Sequence, residues 1–280
     1  MLKKLLTEYQ RIPLIIGMVH LPALPRAPLN SMTIDEITTK ALLDTKMYLD
    51  AEIDGILVEN MGDLPYVRHE DCKPETIAYM THICSMIGSA LTSRQKRKSC
   101  QLGVQVLAGC NMEALAVAHA SNFDFIRAEG FVFAHIADEG FMEGCAGELL
   151  RYRKAIGAEH ISILTDIKKK HSSHSITADL SLTSTALAAQ FFQSDGVIVT
   201  GEATGVAPDP LEVQKLKKSL DIPIAIGSGI TIDNVDEYRS HSDIFIIGSH
   251  FKTEGHWSQP LDKSIIEQFL RKIRSASPSS

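Results

Sequence analysis

Short apolar, β-branched runs return at even intervals along the whole chain: Leu14–Val19, Gly55–Val58, Leu102–Leu107, Phe123–Ala128, Ile161–Asp166, Gly196–Thr200, Ile222–Ile226 and Ile244–Ile247. Their near-continuous apolar character, in place of strict alternation, is that of strands covered on both faces. Between them lie segments with apolar residues at helical spacing, among them Thr33–Ala51, Glu75–Leu91, Met112–Ala120, Thr177–Phe192, Pro210–Leu220 and Leu261–Ile273. Polar cap candidates stand before several of these: Ser31 or Thr33 before the first helix, Asn111 before the third, Asp209 before Pro210, and Thr231 before the seventh. Pro210 suits a first helical turn, where its missing N–H costs nothing. Strand followed by helix, eight times over, predicts an α/β fold, a single (β/α)8 TIM barrel over residues 1–274 with a fraying tail at 275–280. An open, doubly wound sheet is the rival for the same alternation. Eight buried strands with no second domain's worth of chain left over favour closure.

Composition narrows the class without naming a reaction. The length of 280 residues fits one barrel, since that fold routinely uses about 250. A formal charge of −6 argues against a general nucleic-acid binder. The one basic cluster, Arg94 to Lys98, includes Gln95 and reads as a solvated connection. No apolar run approaches the roughly 18 residues of a membrane helix, and Ile12–Val19 is interrupted by Pro13 and Gly17. Lys3, Lys4 and Arg11 precede the first strand with little room for a cleaved signal. A cytoplasmic location is expected, with mitochondria as the alternative. The cysteines (Cys72, Cys84, Cys100, Cys110, Cys145) are odd in number and lack CxxC spacing, so reduced thiols are expected and a structural metal is not.

In such a barrel the residues that end each strand converge on one face, so polar residues there are the first functional candidates. This chain supplies His20 after strand one, Glu59 and Asn60 after strand two, Arg127 and Glu129 after strand four, Asp166 and Lys168 after strand five, and Thr200 and Gly201 after strand six. Any one of them means little, because barrel mouths are wet and a pair such as Glu59 and Arg127 can simply neutralise itself. Five polar strand ends together point to a polar ligand. After strands seven and eight come Gly227-Ser228-Gly229 and Gly248-Ser249, spatial neighbours whose backbone can approach an anion closely, with Lys252 as an added point charge. The run Thr200 to Gly205 is a third glycine loop beside them. That arrangement predicts a phosphate site. Asp166 and Lys168 have the spacing that puts both side chains on one side of a strand, as an acid/base couple, a Schiff-base lysine held by a carboxylate, or a salt bridge. The run Lys169-Lys170-His171-Ser172-Ser173-His174 reads as a loop that contacts an anionic ligand; a metal site there lacks a local third ligand. His135, Asp138 and Glu139, set among Phe131, Phe133 and Phe141, read as a lid. His82 and His119 lie in helical segments and read as structural or surface residues.

Taken together, Gly17-Met18-Val19-His20-Leu21-Pro22, Glu59-Asn60-Met61-Gly62-Asp63, Phe125-Ile126-Arg127, Asp166-Ile167-Lys168, Val199-Thr200-Gly201 and Gly227-Ser228-Gly229 resemble the BtpA/SgcQ family over nearly the whole chain. Lys169 to His174 and Gly248-Ser249-His250-Phe251-Lys252 are similar to further motifs of that family. Two positions depart: Arg26 stands where the first loop usually has glycine, and Met61 replaces an aromatic residue. The resemblance implies a barrel enzyme related to the phosphate-binding barrels, while the family's name comes from a role in photosystem I biogenesis. The leading expectation is an enzyme, of isomerase, lyase or hydrolase chemistry, acting on a phosphorylated sugar or nucleotide-like metabolite. Asp166, Lys168, Glu59 and His20 are its catalytic candidates. Asn60, Arg127, Glu129, Thr200, Gly201, Gly227, Ser228, Gly229, Gly248, Ser249 and Lys252 are its ligand-binding candidates. No particular cofactor is indicated, and a homo-oligomer is left open. The alternative is a noncatalytic assembly factor, which a mouth plugged by Phe131 or Phe133 would favour.

Overall fold

In the computed structural model, which describes residues 12–92, 100–201 and 205–275, the apolar runs become strands. In chain order these are β1 (Leu14–His20), β2 (Gly55–Glu59), β3 (Gln101–Gln105), β4 (Phe125–Ala128), β5 (His135–Ala137), β6 (Gly140–Met142), β7 (Ser162–Ile167), β8 (Ser172–Ser173), β9 (Gly196–Val199), β10 (Ile224–Ile226) and β11 (Ile244–Ile247). Eight of them close into a barrel in the order β1-β2-β3-β4-β7-β9-β10-β11, so the expected (β/α)8 barrel is the observed fold. Neighbours run parallel throughout, and closure is made where Leu14 to Gly17 pair with Ile244 to Ile247. The remaining three strands form a small antiparallel sheet, β6-β5-β8, which the sequence pattern does not announce.

Strand periodicity divides the core in two. Leu14, Ile16, Met18, Leu57, Phe125, Leu164, Ile198, Ala225, Ile244 and Ile246 point inward and fill the barrel. Their neighbours, such as Ile15, Val19, Ile56, Ile126, Ile163 and Phe245, pack outward against the helices. Gly103 leaves the space that Phe125 needs, since a Cβ there would lie 2.2 Å from the Phe125 ring.

The α-helices among the described residues are α1 (Ile34–Asp50), α2 (Pro74–Thr92), α3 (Asn111–Ala120), α4 (Ala146–Ala155), α5 (Leu182–Phe191), α6 (Pro210–Ser219) and α7 (Lys263–Ser275). None is long and apolar enough to cross a membrane. Thr33 caps α1 in a reciprocal box with Glu36, and Asp209 accepts the Leu211 N–H at the start of α6. Two cap expectations are corrected. Asn111 lies inside the first turn of α3, where its amide bonds both the N–H and the carbonyl of Glu129. Thr231 is followed by turns and a 3-10 turn, Val235–Glu237, whose cap position is Asn234, in place of a seventh outer helix. The reason is local: Asn234 reaches back to the Gly229 carbonyl and the Thr231 N–H, so the chain closes on itself before a helix can propagate. The basic cluster at 94–98, residues Lys3, Lys4 and Arg11, Glu202 to Thr204 of the third glycine loop, and 276–280 of the tail lie outside the described residues.

Candidate functional site

The inward alternation that fills the barrel continues one step beyond the core, from Met18 to His20, Leu57 to Glu59, Phe125 to Arg127, Leu164 to Asp166, Ala225 to Gly227 and Ile246 to Gly248. All six of these second members line one cavity of about 420 Å³ at the carboxyl ends of the strands. Glu129, Ser228, Gly229 and Ser249 line it too, together with Lys169, Lys170 and His171 from the loop after β7. Met61, Leu64, Tyr66, Leu107 and Trp257 give it an apolar wall.

Its floor is a set of buried charges. Arg127 donates to both carboxylate oxygens of Asp166, at 2.7 and 2.9 Å, and this two-pronged pair is almost wholly enclosed. Burial works against the Arg127 cation, but Asp166 and the nearby Glu59 and Glu129 hold it charged. Glu129 is likewise committed: burial alone would raise its carboxyl, yet Lys169 at 2.7 Å brings it below the ordinary value, and Gln105 donates to its other oxygen at 3.1 Å.

Glu59 is different. It is 7% exposed, and burial lifts its carboxyl to about 7 despite the pull of Arg127 and Lys170. Oε2 lies 3.6 Å from His20 Nε2. Burial, reinforced by Lys252, lowers His20 to about 3, so its ring is neutral at physiological pH. His20 Nδ1 faces the Trp257 carbonyl at 3.3 Å, an arrangement that places the ring proton on Nδ1 and leaves Nε2 as an acceptor turned to Glu59. The couple therefore carries a proton on Glu59 that can leave near neutral pH, beside a ring that stays neutral over the same range.

The two glycine loops face this floor. A Cβ on Gly248 would lie 2.8 Å from the His20 ring, and one on Gly227 would lie 3.4 Å from the Arg127 guanidinium. Gly229, at φ +73°, lets the backbone pass so close to Val206 and Ala207 that a Cβ would meet the Ala207 nitrogen at 2.0 Å. The N–H groups of Ser228, Gly229, Ser249 and His250 have no protein acceptor among the described residues. His250 itself is a neutral acceptor, holding the Ile232 N–H at 3.1 Å.

Several candidates fall elsewhere. Lys168 is corrected: β7 ends at Ile167, Lys168 turns to φ +47°, and its ammonium bonds the Leu180 carbonyl away from Asp166. The partner of Asp166 is Arg127, not Lys168. Lys252 is corrected too; it is 3% exposed, and its ammonium lies 3.7 Å from Asp44 on α1, outside the cavity lining. Asn60 bridges Asp63 at 2.9 Å and the Leu107 N–H at 2.7 Å, tying the ends of β2 and β3 without lining the cavity. Thr200 and Gly201 also lie behind it: Thr200 packs beneath Gly227, and Gly201 against the Val206 carbonyl. Phe131 is buried in the outer core while Phe133 and Phe141 are exposed, so none of the three plugs the mouth. His174 bonds the Lys169 carbonyl at 3.0 Å, and its ring centroid is 5.5 Å from that of His135. Tyr66 and Trp257 are lining residues that the strand-end reading misses, because both arrive on loops well beyond their strands; their only sequence signal is an aromatic side chain within a βα connection.

Comparison with known proteins places the chain. Residues 11–275 match the BtpA family model. An uncharacterized, mitochondrial protein of Caenorhabditis elegans is 44% identical over 265 residues, which cover 94% of both chains. Photosystem I biogenesis protein BtpA of Synechocystis sp. is 27% identical, over 92% of this chain and 87% of that one. Among solved structures, thiamine phosphate pyrophosphorylase from Pyrococcus furiosus shares the fold at a TM-score of 0.55 and 12% identity, over 94% of this chain and 96% of its own. N-(5'-phosphoribosyl)anthranilate isomerase from the same organism does so at 0.54 and 10%, over 94% and 100%. With a matched model that runs almost from end to end and a relative this similar over nearly its whole length, the chain belongs to the BtpA family.

Proposed function

We propose that the chain is an enzyme acting on a phosphorylated small metabolite, a sugar phosphate or nucleotide-like compound, by moving a proton at the floor of the barrel mouth. The observation that carries this reading is Glu59: a buried carboxyl lifted to about 7, at the bottom of an open cavity rimmed by backbone N–H groups that have no acceptor among the described residues. An acid whose pKa matches the working pH is what general acid/base chemistry needs, and desolvation is the usual way to make one. The phosphate sits on the N–H groups of Ser228, Gly229, Ser249 and His250, which carry partial positive charge without a counterion to displace. The apolar wall of Met61, Tyr66 and Trp257 takes the rest of the molecule. The solved neighbours support a phosphorylated ligand, since their names concern thiamine phosphate and a phosphoribosyl compound. A cavity left open by Phe131 and Phe133 speaks against a barrel kept only as an assembly scaffold. The reaction runs in the cytoplasm or, on the strength of the worm relative's name, in mitochondria.

Calorimetric titration with inorganic phosphate, followed by a panel of sugar phosphates and nucleotides, tests the binding half. Saturable binding that the unphosphorylated analogues lack is expected. For the chemistry, Glu59→Gln should cost about 10²- to 10⁴-fold in turnover while leaving ligand affinity within a few-fold. Full turnover in that variant removes Glu59 from the mechanism.

A further inference from the structure

Three cations line the cavity floor, and two are spoken for. Arg127 is clamped by Asp166 and Lys169 by Glu129. Lys170 also lines the cavity, yet makes no ion pair or hydrogen bond through its ammonium among the described residues. It is held there by its surroundings: Ser172, two residues on, is fixed in β8 against Ala137 of β5.

Building on the proposed function, we infer that Lys170 is the reactive amine of this site and condenses with the carbonyl of a phosphorylated aldehyde or ketone. The first support is that its amine, unlike that of Lys169, has no carboxylate bound to it among the described residues. The second is the setting. Burial, followed by the Arg127 charge, lowers the Lys170 amine from its ordinary value, and Glu59, Asp166 and Glu129 only partly oppose this. The third is a proton source in the same cavity, the Glu59 carboxyl. Uncharged Lys170 adds to the carbonyl carbon, and one amine proton passes to the former carbonyl oxygen. The Glu59 acid gives that oxygen a second proton, water departs, and a protonated C=N bond to Lys170 remains with Glu59 as carboxylate. That carboxylate is then the base for a proton on the adjacent carbon, the step an isomerase or lyase of this kind requires.

The test uses the full chain with glyceraldehyde 3-phosphate and sodium cyanoborohydride, which delivers hydride to the C=N carbon and fixes the adduct as a secondary amine. Peptide mapping compares Lys170 with Lys218, an exposed lysine on α6. At neutral pH the Lys170 adduct should form faster, by roughly tenfold for each unit by which its pKa is lowered. Excess inorganic phosphate should suppress labelling at Lys170 and leave Lys218 unchanged. Lys170→Arg, which keeps the charge and cannot form the adduct, should retain phosphate binding and lose the labelled peptide. Labelling at Lys170 no faster than at Lys218, with phosphate still bound, overturns the inference and spares the phosphate site. Fast labelling at Lys170 that phosphate does not suppress upholds the amine and overturns the placement of phosphate on the glycine loops.

Discussion

Asp166 receives both prongs of the Arg127 guanidinium across the adjacent strands β4 and β7, with only 1% of its side chain exposed. A carboxylate so held is a counterion first. Asp166→Asn would leave a buried guanidinium without its charge partner, a change that typically costs about 3–5 kcal/mol. Chemical denaturation should show that loss before any assay of turnover is meaningful. Replacing both residues by leucine should recover most of the stability, whereas a single Asn variant as stable as the parent would show that the pair is not the anchor its geometry describes.

The Glu59 and His20 couple predicts a pH signature with opposing halves. Glu59 rises from 4.5 to about 7 on folding, so the folded chain binds the extra proton and this contribution is lost as pH climbs through 7. His20 falls from 6.5 to about 3, so its contribution is complete above 6.5 and is lost as pH drops toward 3. Between 4.5 and 6.5 the two slopes cancel. Glu59→Gln removes the first half alone. Urea unfolding should find the variant gaining on the parent from pH 5 to pH 8, by up to about 3 kcal/mol. An unchanged difference at the two pH values would mean that Glu59 ionises normally in the folded chain.

Lys252 separates a charge near the site from a charge in it. Since its partner is Asp44 at 3.7 Å and it does not line the cavity, Lys252→Met should lower stability by about 1–3 kcal/mol. Phosphate affinity, followed by calorimetry, should stay within about twofold, less than 0.5 kcal/mol. A tenfold loss would return Lys252 to the anion site.

The glycine loops should divide under alanine substitution. Gly229→Ala combines φ +73° with a Cβ 2.0 Å from the Ala207 nitrogen, and strain plus overpacking should cost about 2–5 kcal/mol of stability. Gly248→Ala meets side chains alone, the His20 ring at 2.8 Å and Met18 Cγ at 3.4 Å. Its expected effect is a displaced His20 and about tenfold weaker phosphate binding, or roughly 1.4 kcal/mol, with the melting temperature little changed.

Much of this could be read in advance, and the reason is periodicity. The alternation that sends Leu14, Ile16 and Met18 into the barrel also delivers His20 to its mouth, and the same step yields Glu59, Arg127 and Asp166. The rule fails where a strand stops. Lys168 is in phase with Asp166, but the left-handed turn after Ile167 takes it out of the row and brings Lys169 and Lys170 round instead. Pairing is the other gap, because which charges meet depends on neighbouring strands and their offset. Arg127 and Asp166 are 39 residues apart, and only the β4–β7 register joins them. Strands of two or three residues, such as β5, β6 and β8, are too short to show a period at all.

Those three short strands constrain how the site can vary. The hairpin tip Asp138-Glu139 and the segment Lys169 to His171 reach the cavity from different excursions of the chain, yet Ala137–Ser172 and Ile136–Ser173 pairing fastens one to the other. A residue inserted or deleted between Ile167 and Ser172 would shift β8 by one step, and a one-step slip turns a strand's side chains to the opposite face. Lys170 and its neighbours would then be reoriented along with the hairpin. The length of this stretch is therefore set by its seam with β5, so relatives that enlarge or shrink the mouth should do so elsewhere, in unpaired connections such as the one that carries Tyr66.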